Sequence, residues 1–368
     1  MKLLLINEVC GIGSTGKICV RIAEEYEKKG YKCKIAYGRD GNVPEQYREY
    51  AVRIGGSLSV RLHALKTRLF DAHGFGSYFA TKRFLRWADK YDPDILWLHN
   101  LHGYYINIEL LFRWIKSRPD MKVKWTLHDC WAFTGHCSHF TVARCGRWKK
   151  QCFDCPQKKE YPKSIVFDNS YYNYKRKKRA FKGVNDLTVI TPSKWLAGLV
   201  KKSFLKEYKV EVQHNTINSS VFKPTESDFR EKYGLKEKKI VLGVSNIWNG
   251  RKGYYDFIKL SKMLDDKYKI VLVGLSEKQL NEVPKSIIGI SRTKDQKELA
   301  AIYTAADVFL NLTYEDNYPT VNLEAQACGT PVITYRTGGS PESVPEENVV
   351  NVGDISSVRE RIGAILKC

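Results

Sequence analysis

The stretch "YEDNYPTVNLEAQACGTPVITYRTGGSPE", residues 314–342, packs a turn, a helix and a strand into one short run. Pro319 fits a first helical turn: its fixed φ suits that turn, and its missing N–H would find no partner there anyway. Gly329, Thr330 and Pro331 end the helix, and the apolar run 331–334 that follows reads as a buried strand. The helix start then presents backbone N–H groups of Tyr318, Thr320 and Val321 at the positive end of its dipole, where a diphosphate is stabilised. Glu324, one turn further on, can accept two hydrogen bonds from a ribose diol, whereas an isolated glutamate on such a helix would be an ordinary surface carboxylate. Gly338 and Gly339 allow backbone to approach a ligand closely.

Outward from this stretch, short β-branched runs alternate with helical ones along the chain. The runs are 2–6, 94–99, 123–128 and 187–191, then 239–245, 269–274, 308–312 and 331–334. Buried parallel strands with crossover helices are the natural reading, one doubly wound α/β sheet in each half. The 368 residues suit two domains, expected as 1–212 and 213–368, with residues 212–224 as the hinge. Two such domains facing across a cleft would bind ligand at their strand ends. No run approaches eighteen uncharged apolar residues and the N-terminus enters a strand at once, so a cytoplasmic protein without a membrane span is expected.

Net charge is +21, and all of the excess lies in the first half. Through Lys209 there are 40 Lys and Arg against 19 Asp and Glu, while the remainder balances. A basic half implies nucleic acid, an anionic membrane surface, a phosphate-rich substrate or simply a solvated face. The usual nucleic-acid-binding signatures are absent from the sequence, so no nucleic-acid partner is expected. Two aromatic-basic stretches, residues 76–87 and 170–181, point to docking at the inner face of an anionic membrane.

"GIGSTGKI", residues 11–18, follows the first strand and matches two nucleotide signatures imperfectly. A phosphate loop needs a hydroxyl after Lys17, and Ile18 has none. A dinucleotide loop wants an acidic residue at the end of the second strand, where only Asp40 lies near. What survives is a strand, a glycine turn and a helix N-terminus, an anion site of unspecified ligand.

Residues 314–342 resemble the nucleotide-sugar-binding segment of retaining glycosyltransferases of family 4, of the kind acting in bacterial surface-polysaccharide assembly. That family has the two-domain GT-B fold and carries an acidic residue, seven residues, then Glu, followed by A-x-A-C-G-x-P-V. Here the pair is Asp316 and Glu324. The resemblance implies transfer of a sugar from a UDP- or GDP-sugar to a lipid-linked or saccharide hydroxyl, with retention and without a required metal. In the same family the loop after the second domain's first strand grips the diphosphate. "SNIWNGRKGYYDF", residues 245–257, corresponds to it: Lys252 matches the Lys of the K-G step, Asn246 stands where the family usually has Arg, and Arg251 is the substitute for that Arg. Asp316 stands where the family usually has Glu, with Glu315 as its alternative. Arg292 falls where base or phosphate is contacted. In the first half, His128 in "TLHDCW" matches the histidine that contacts the donor sugar or its phosphate, with His99 and His102 at the neighbouring strand end. Gly13, Ser14, Thr15 and Gly16 correspond to the N-terminal glycine loop. The roles implied are His128, Lys252 and Asp316 in catalysis and the remaining residues in donor binding. The rival readings are a phosphate-loop NTPase and a basic nucleic-acid- or anion-binding protein.

Four of the ten cysteines, Cys137, Cys145, Cys152 and Cys155, lie within an insertion at about 130–160 that has little apolar periodicity. Their spacing predicts either a closed structural zinc site, with His136 or His139 as substitute ligands, or four unligated thiols.

Overall fold

Leu3, Leu4, Leu5 and Ile6 are all wholly buried, because β1 (Lys2–Ile6) lies inside a parallel sheet covered on both faces. The computed structural model describes residues 1–39 and 41–367; Asp40 lies outside the described residues. The chain divides into two compact units, Met1–Gln213 and His214–Cys368.

In the first unit β1 is joined by β2 (Lys32–Tyr37), β3 (Ala51–Arg53), β4 (Ile95–Leu98), β5 (Lys122–Thr126), β6 (Leu187–Thr191) and β7 (Lys209–Val212). All pair in parallel, in the order β3-β2-β1-β4-β5-β6-β7. The helices are α1 (Gly13–Glu27), α2 (Ser57–Phe70), α3 (Tyr78–Tyr91), α4 (Ile108–Lys116), α5 (Ser170–Phe181) and α6 (Lys194–Val200). Alternate residues of each strand feed opposite cores. Leu4, Ile6, Leu96 and Leu98 join one cluster with Phe112 and Trp125, whereas Leu3, Leu5, Ile95 and Trp97 join the other with Cys19 and Val20. Strand order reverses between β1 and β4, which leaves a crevice where their following loops diverge.

The second unit repeats the scheme with β8 (Lys239–Val244), β9 (Tyr268–Val273), β10 (Ile287–Ile290), β11 (Val308–Asn311), β12 (Val332–Tyr335) and β13 (Val349–Val350). Their order is β10-β9-β8-β11-β12-β13, again parallel, with the reversal between β8 and β11. Its helices are α7 (Phe229–Lys232), α8 (Tyr254–Leu260), α9 (Glu277–Glu282), α10 (Gln296–Ala305), α11 (Thr320–Ala327) and α12 (Ile355–Leu366). Ile240, Leu242, Val271 and Phe309 face one core; Val241, Ile270, Leu272 and Leu310 face the other. The fold is thus α/β and doubly wound in both units, as the alternation of apolar runs predicts. The short edge strands β3, β7 and β13 carry little apolar signal, and they form because a paired neighbour supplies their hydrogen bonds.

Candidate active site

Lys252 and Asp316 meet at the strand-order reversal of the second sheet. Lys252 closes a short 3₁₀ turn (Gly250–Lys252) after β8, and Asp316 lies in the loop after β11. Its Nζ stands 2.6 Å from Asp316 Oδ2, and both side chains are partly exposed. The turn is nucleated by Asn249, whose side chain accepts the Lys252 N–H at 3.0 Å. Arg251 donates Nη1 to the Glu315 carbonyl at 3.0 Å, and its own carbonyl accepts the Tyr314 N–H. The two loops are therefore stitched together through backbone as well as side chains. Glu315, the sequence alternative to Asp316, is 4% exposed, so Asp316 is the carboxylate that reaches the edge of the sheet.

Two glycines make this approach possible. A Cβ on Gly253, which has φ +75°, would lie 2.1 Å from the Leu312 carbonyl oxygen. On Gly338 it would lie 1.8 Å from the Asp316 carbonyl oxygen. Gly253→Ala is therefore expected to destabilise the unit by about 1–3 kcal/mol through left-handed strain alone, with the clash adding to it. Lys252 would shift as well. A melting temperature equal to wild type would show that the loop can move away without cost.

Beyond Asp316 the chain enters α11 at Thr320, and no side chain caps its start. Pro319 occupies the capping position rather than the first turn. Tyr318 is held by stacking on His214, with ring centroids 4.6 Å apart, and by Asn215, which donates to its carbonyl at 2.9 Å. Glu324, partly buried on α11, has its Oε2 3.3 Å from the Tyr303 hydroxyl. Gly339 follows β12, and its N–H reaches the Asp316 carbonyl at 3.3 Å. Asn246 is exposed in the loop after β8, and Arg292 is exposed after β10, two strands away from β8. All these residues lie at or beyond the C-terminal edge of one parallel sheet, with Glu324 one turn into the following helix.

Sequence reading missed the polar core that holds α11 in place. Asn322 accepts from Asn311 at 2.8 Å and donates to Ser343 at 2.8 Å, while Ser340 meets Thr334 at 2.7 Å. These groups are buried and paired with one another, which fixes the position of the helix start against β11 and β12. The visible sequence signal was Asn322 next to the apolar Val321 and Leu323 near the start of the helix.

In the first unit α1 begins at Gly13, directly after the turn in which Gly11 adopts φ +72°. No side chain caps this helix either. Gly13 and Ser14 are exposed, Thr15 is half-buried and accepts from Asn7 at 3.2 Å, and Gly16 packs against the turn. Asn7 Oδ1 also accepts the Asn100 N–H at 3.3 Å, so the loops after β1 and β4 are joined at the reversal of this sheet.

His128, two residues past β5, has Nε2 3.0 Å from Nδ1 of His99. Burial pushes the His128 ring down to about 4 and His99 well below its ordinary value. Both are neutral at pH 7, which suits hydrogen bonds to sugar hydroxyls rather than charge pairing with phosphate. His102 behaves oppositely: burial lowers it, but Asp129, 2.8 Å away, raises it more. Burial also lowers His63 to about 4 and His73 well below its usual range. Below about pH 6.5 the unfolded chain takes up protons that these four folded rings refuse, so stability should drop as pH falls from about 6.5 toward 4. His102 and His136, both raised, act in the other direction and lose their contribution as pH rises through their folded values. The expected net result is a lower melting temperature at pH 5 than at pH 7. An unchanged one would show that the four rings are not held neutral.

Cys137, Cys145, Cys152 and Cys155 come together around one small cavity with Phe140 and Trp148. Among the described residues, however, no group of three or more His, Cys, Asp or Glu is placed to hold a metal ion. Of the two readings offered by the spacing, the side chains as described are arranged as thiols around a cavity. The Cys137 thiol donates to Cys155, drawing the latter down to about 7 while the former is pushed up. Cys152 accepts the Gly135 N–H at 3.2 Å. Irregular packing of Trp131, Phe133, Phe140 and Trp148 into the main core orders the insertion. A buried His136–Asp71 pair at 2.5 Å adds to it, as does Lys177, which donates to the Trp131 carbonyl at 2.8 Å. Such packing has no sequence period, so it was invisible beforehand.

Two parallel α/β units, each with a strand-order reversal, are the architecture of the GT-B fold. The chain belongs to Glycosyltransferase Family 4, whose profile matches residues 15–221, while the profile of glycosyl transferases group 1 matches residues 225–368. It is 22% identical to the putative colanic acid biosynthesis glycosyl transferase WcaC of Escherichia coli, over 97% of this chain and 90% of that one. Among solved structures, sucrose-phosphate synthase of Thermosynechococcus elongatus aligns over 100% of this chain and 90% of its own, with TM-score 0.69 at 16% identity. Anabaena HepE in complex with UDP aligns over the same shares, with TM-score 0.68 at 14% identity. The protein is therefore a glycosyltransferase, and neither the phosphate-loop NTPase nor the nucleic-acid reading is favoured. Among the described residues, no helix is long and apolar enough to cross a membrane.

Proposed function

We propose that the second unit holds a nucleotide-diphosphate sugar at the β8–β11 reversal and that the sugar passes to an acceptor hydroxyl with retention. The observation that carries this reading is the Lys252–Asp316 pair at 2.6 Å, beside the uncapped start of α11. Lys252, Arg251 and the amides of Tyr318, Thr320 and Val321 stabilise the diphosphate as the bond from the anomeric carbon to its oxygen breaks. Asp316 takes the sugar hydroxyls and stabilises positive charge developing on the ring. Glu324 takes the ribose diol. Asn246, Arg292 and Gly339 complete the donor contacts.

In the first unit, His128 is assigned to the sugar as a neutral hydrogen-bonding ring, and residues 13–16 to the diphosphate or acceptor. No metal is assigned a step. The acceptor is a lipid-linked or polysaccharide hydroxyl met at an anionic membrane surface on the cytoplasmic side, a reading supported by the excess of positive charge in the first unit. The direct test is a panel of UDP- and GDP-sugars scored for binding and for slow donor hydrolysis. Specific turnover of one donor supports the assignment; no binding of any donor overturns it.

A further inference from the structure

Helix α2 presents a leucine face that the rest of the first unit leaves uncovered. Leu58, Leu62, Leu65 and Leu69 are 70%, 57%, 53% and 36% exposed, and their spacing puts them within one narrow stripe of the helix. The opposite stripe, His63 and Thr67, is what faces the core. At its C-terminal end the leucine stripe continues into Phe70, which stacks on Phe167 with centroids 5.7 Å apart. That second segment is clipped to the helix end by the N–H groups of Ile165 and Phe167, bonded to the carbonyls of Arg68 and Leu69 at 2.7 and 3.2 Å. The patch is thus continuous and held in shape, larger than the scattered apolar residues usual on a soluble surface.

Its surroundings are basic. Arg61, Lys66 and Arg68 flank the stripe, and between residues 54 and 88 the only acidic side chain is Asp71. Asp71 is buried against His136 and presents no charge to solvent. A leucine stripe with cationic flanks and no exposed carboxylate along residues 54–88 is the pattern of a helix lying in the headgroup region, with its apolar side in the acyl boundary and its cations at anionic phosphates. A second copy of this chain fits poorly, since two such basic faces would repel.

The stretches first singled out from the sequence are less suited. On α5, Lys177 is buried against Trp131 and Arg176 is held by Glu109 at 2.6 and 2.9 Å. On α3, Phe84 and Leu85 are buried.

We propose that the α2 leucine face is the surface by which this protein docks on an anionic lipid bilayer, a proposal that rests on the membrane-acceptor reading above. The test is co-sedimentation with vesicles of phosphatidylglycerol and phosphatidylcholine, and with phosphatidylcholine alone, for the wild type, the double variant Leu62→Gln/Leu65→Gln and the variant Tyr172→Gln on α5. The expected result is salt-sensitive binding to the acidic vesicles only, about tenfold weaker or more in the double variant and unchanged in Tyr172→Gln. Melting temperature and UDP or GDP affinity should be unaltered in all three, because the substituted residues are exposed and outside the donor site. Binding retained by the double variant, or lost in Tyr172→Gln, overturns α2 as the docking face while leaving membrane docking intact. No vesicle binding by the wild type overturns both, whereas donor turnover tests the enzymatic reading separately. A shift from dimer to monomer in the double variant would assign the face to self-association and overturn the proposal.

Discussion

Lys252→Ala is expected to lower kcat about 10²–10³-fold, the usual cost of removing one well-placed group that stabilises charge forming in a transition state. The donor KM should change much less. In the proposed donor placement the ground-state diphosphate already shares its charge with the amides at the start of α11 and with Arg251; the extra negative charge appears only as the anomeric bond breaks, and it is there that Lys252 is proposed to act. The pairing with Asp316 gives the prediction a second arm. Removing the ammonium leaves Asp316 without its 2.6 Å partner, so part of the loss comes from displacement of that carboxylate. Lys252→Arg, which keeps the charge, should recover part of the rate. Steady-state kinetics with the donor identified from the panel decides the matter, and an unaltered kcat in Lys252→Ala would remove this residue from the site.

Glu324→Ala should weaken nucleotide binding about 10- to 150-fold, since a carboxylate accepting hydrogen bonds from a diol contributes about 1.5–3 kcal/mol. The carboxylate is partly buried on α11 and positioned by the Tyr303 hydroxyl at 3.3 Å. Its effect should therefore depend on the ribose itself. Calorimetry with a ribonucleotide and its 2′-deoxy analogue separates the cases: the variant should lose affinity for the first and little for the second. Equal losses for both would indicate a general disturbance of α11, and no loss for either would end the ribose assignment. Tyr303→Phe should show a smaller deficit of the same kind.

Much of this was legible in the sequence because it depends on local chemistry. Parallel strands buried on both faces require continuous apolar runs, so β1, β4, β8 and β11 announce themselves. The helix between Pro319 and Gly329 is bounded by residues whose backbone preferences permit little else. Positions such as Gly253 and Gly338 are read as glycine because backbone approaches there, but only the fold shows which carbonyls approach: those of Leu312 and Asp316. The pairing of Lys252 with Asp316 likewise spans 64 residues and follows from β8 and β11 being neighbours, a fact of strand order that no local pattern encodes. In the cysteine-rich insertion the sequence carries little of the structure. Its spacing is compatible with metal ligands or with free thiols, whereas the packing of Trp131, Phe133, Phe140 and Trp148 into the main core follows no period. The exposed leucine stripe of α2 is of a related kind: only the tertiary structure turns His63 and Thr67 inward and leaves the leucines outside. The sequence alone determined the parallel α/β character and the family, and it supplied the residues of the proposed donor site. Tertiary structure decided which of those residues touch and which apolar stripe faces water, because contacts between distant segments are set by packing rather than by local preference.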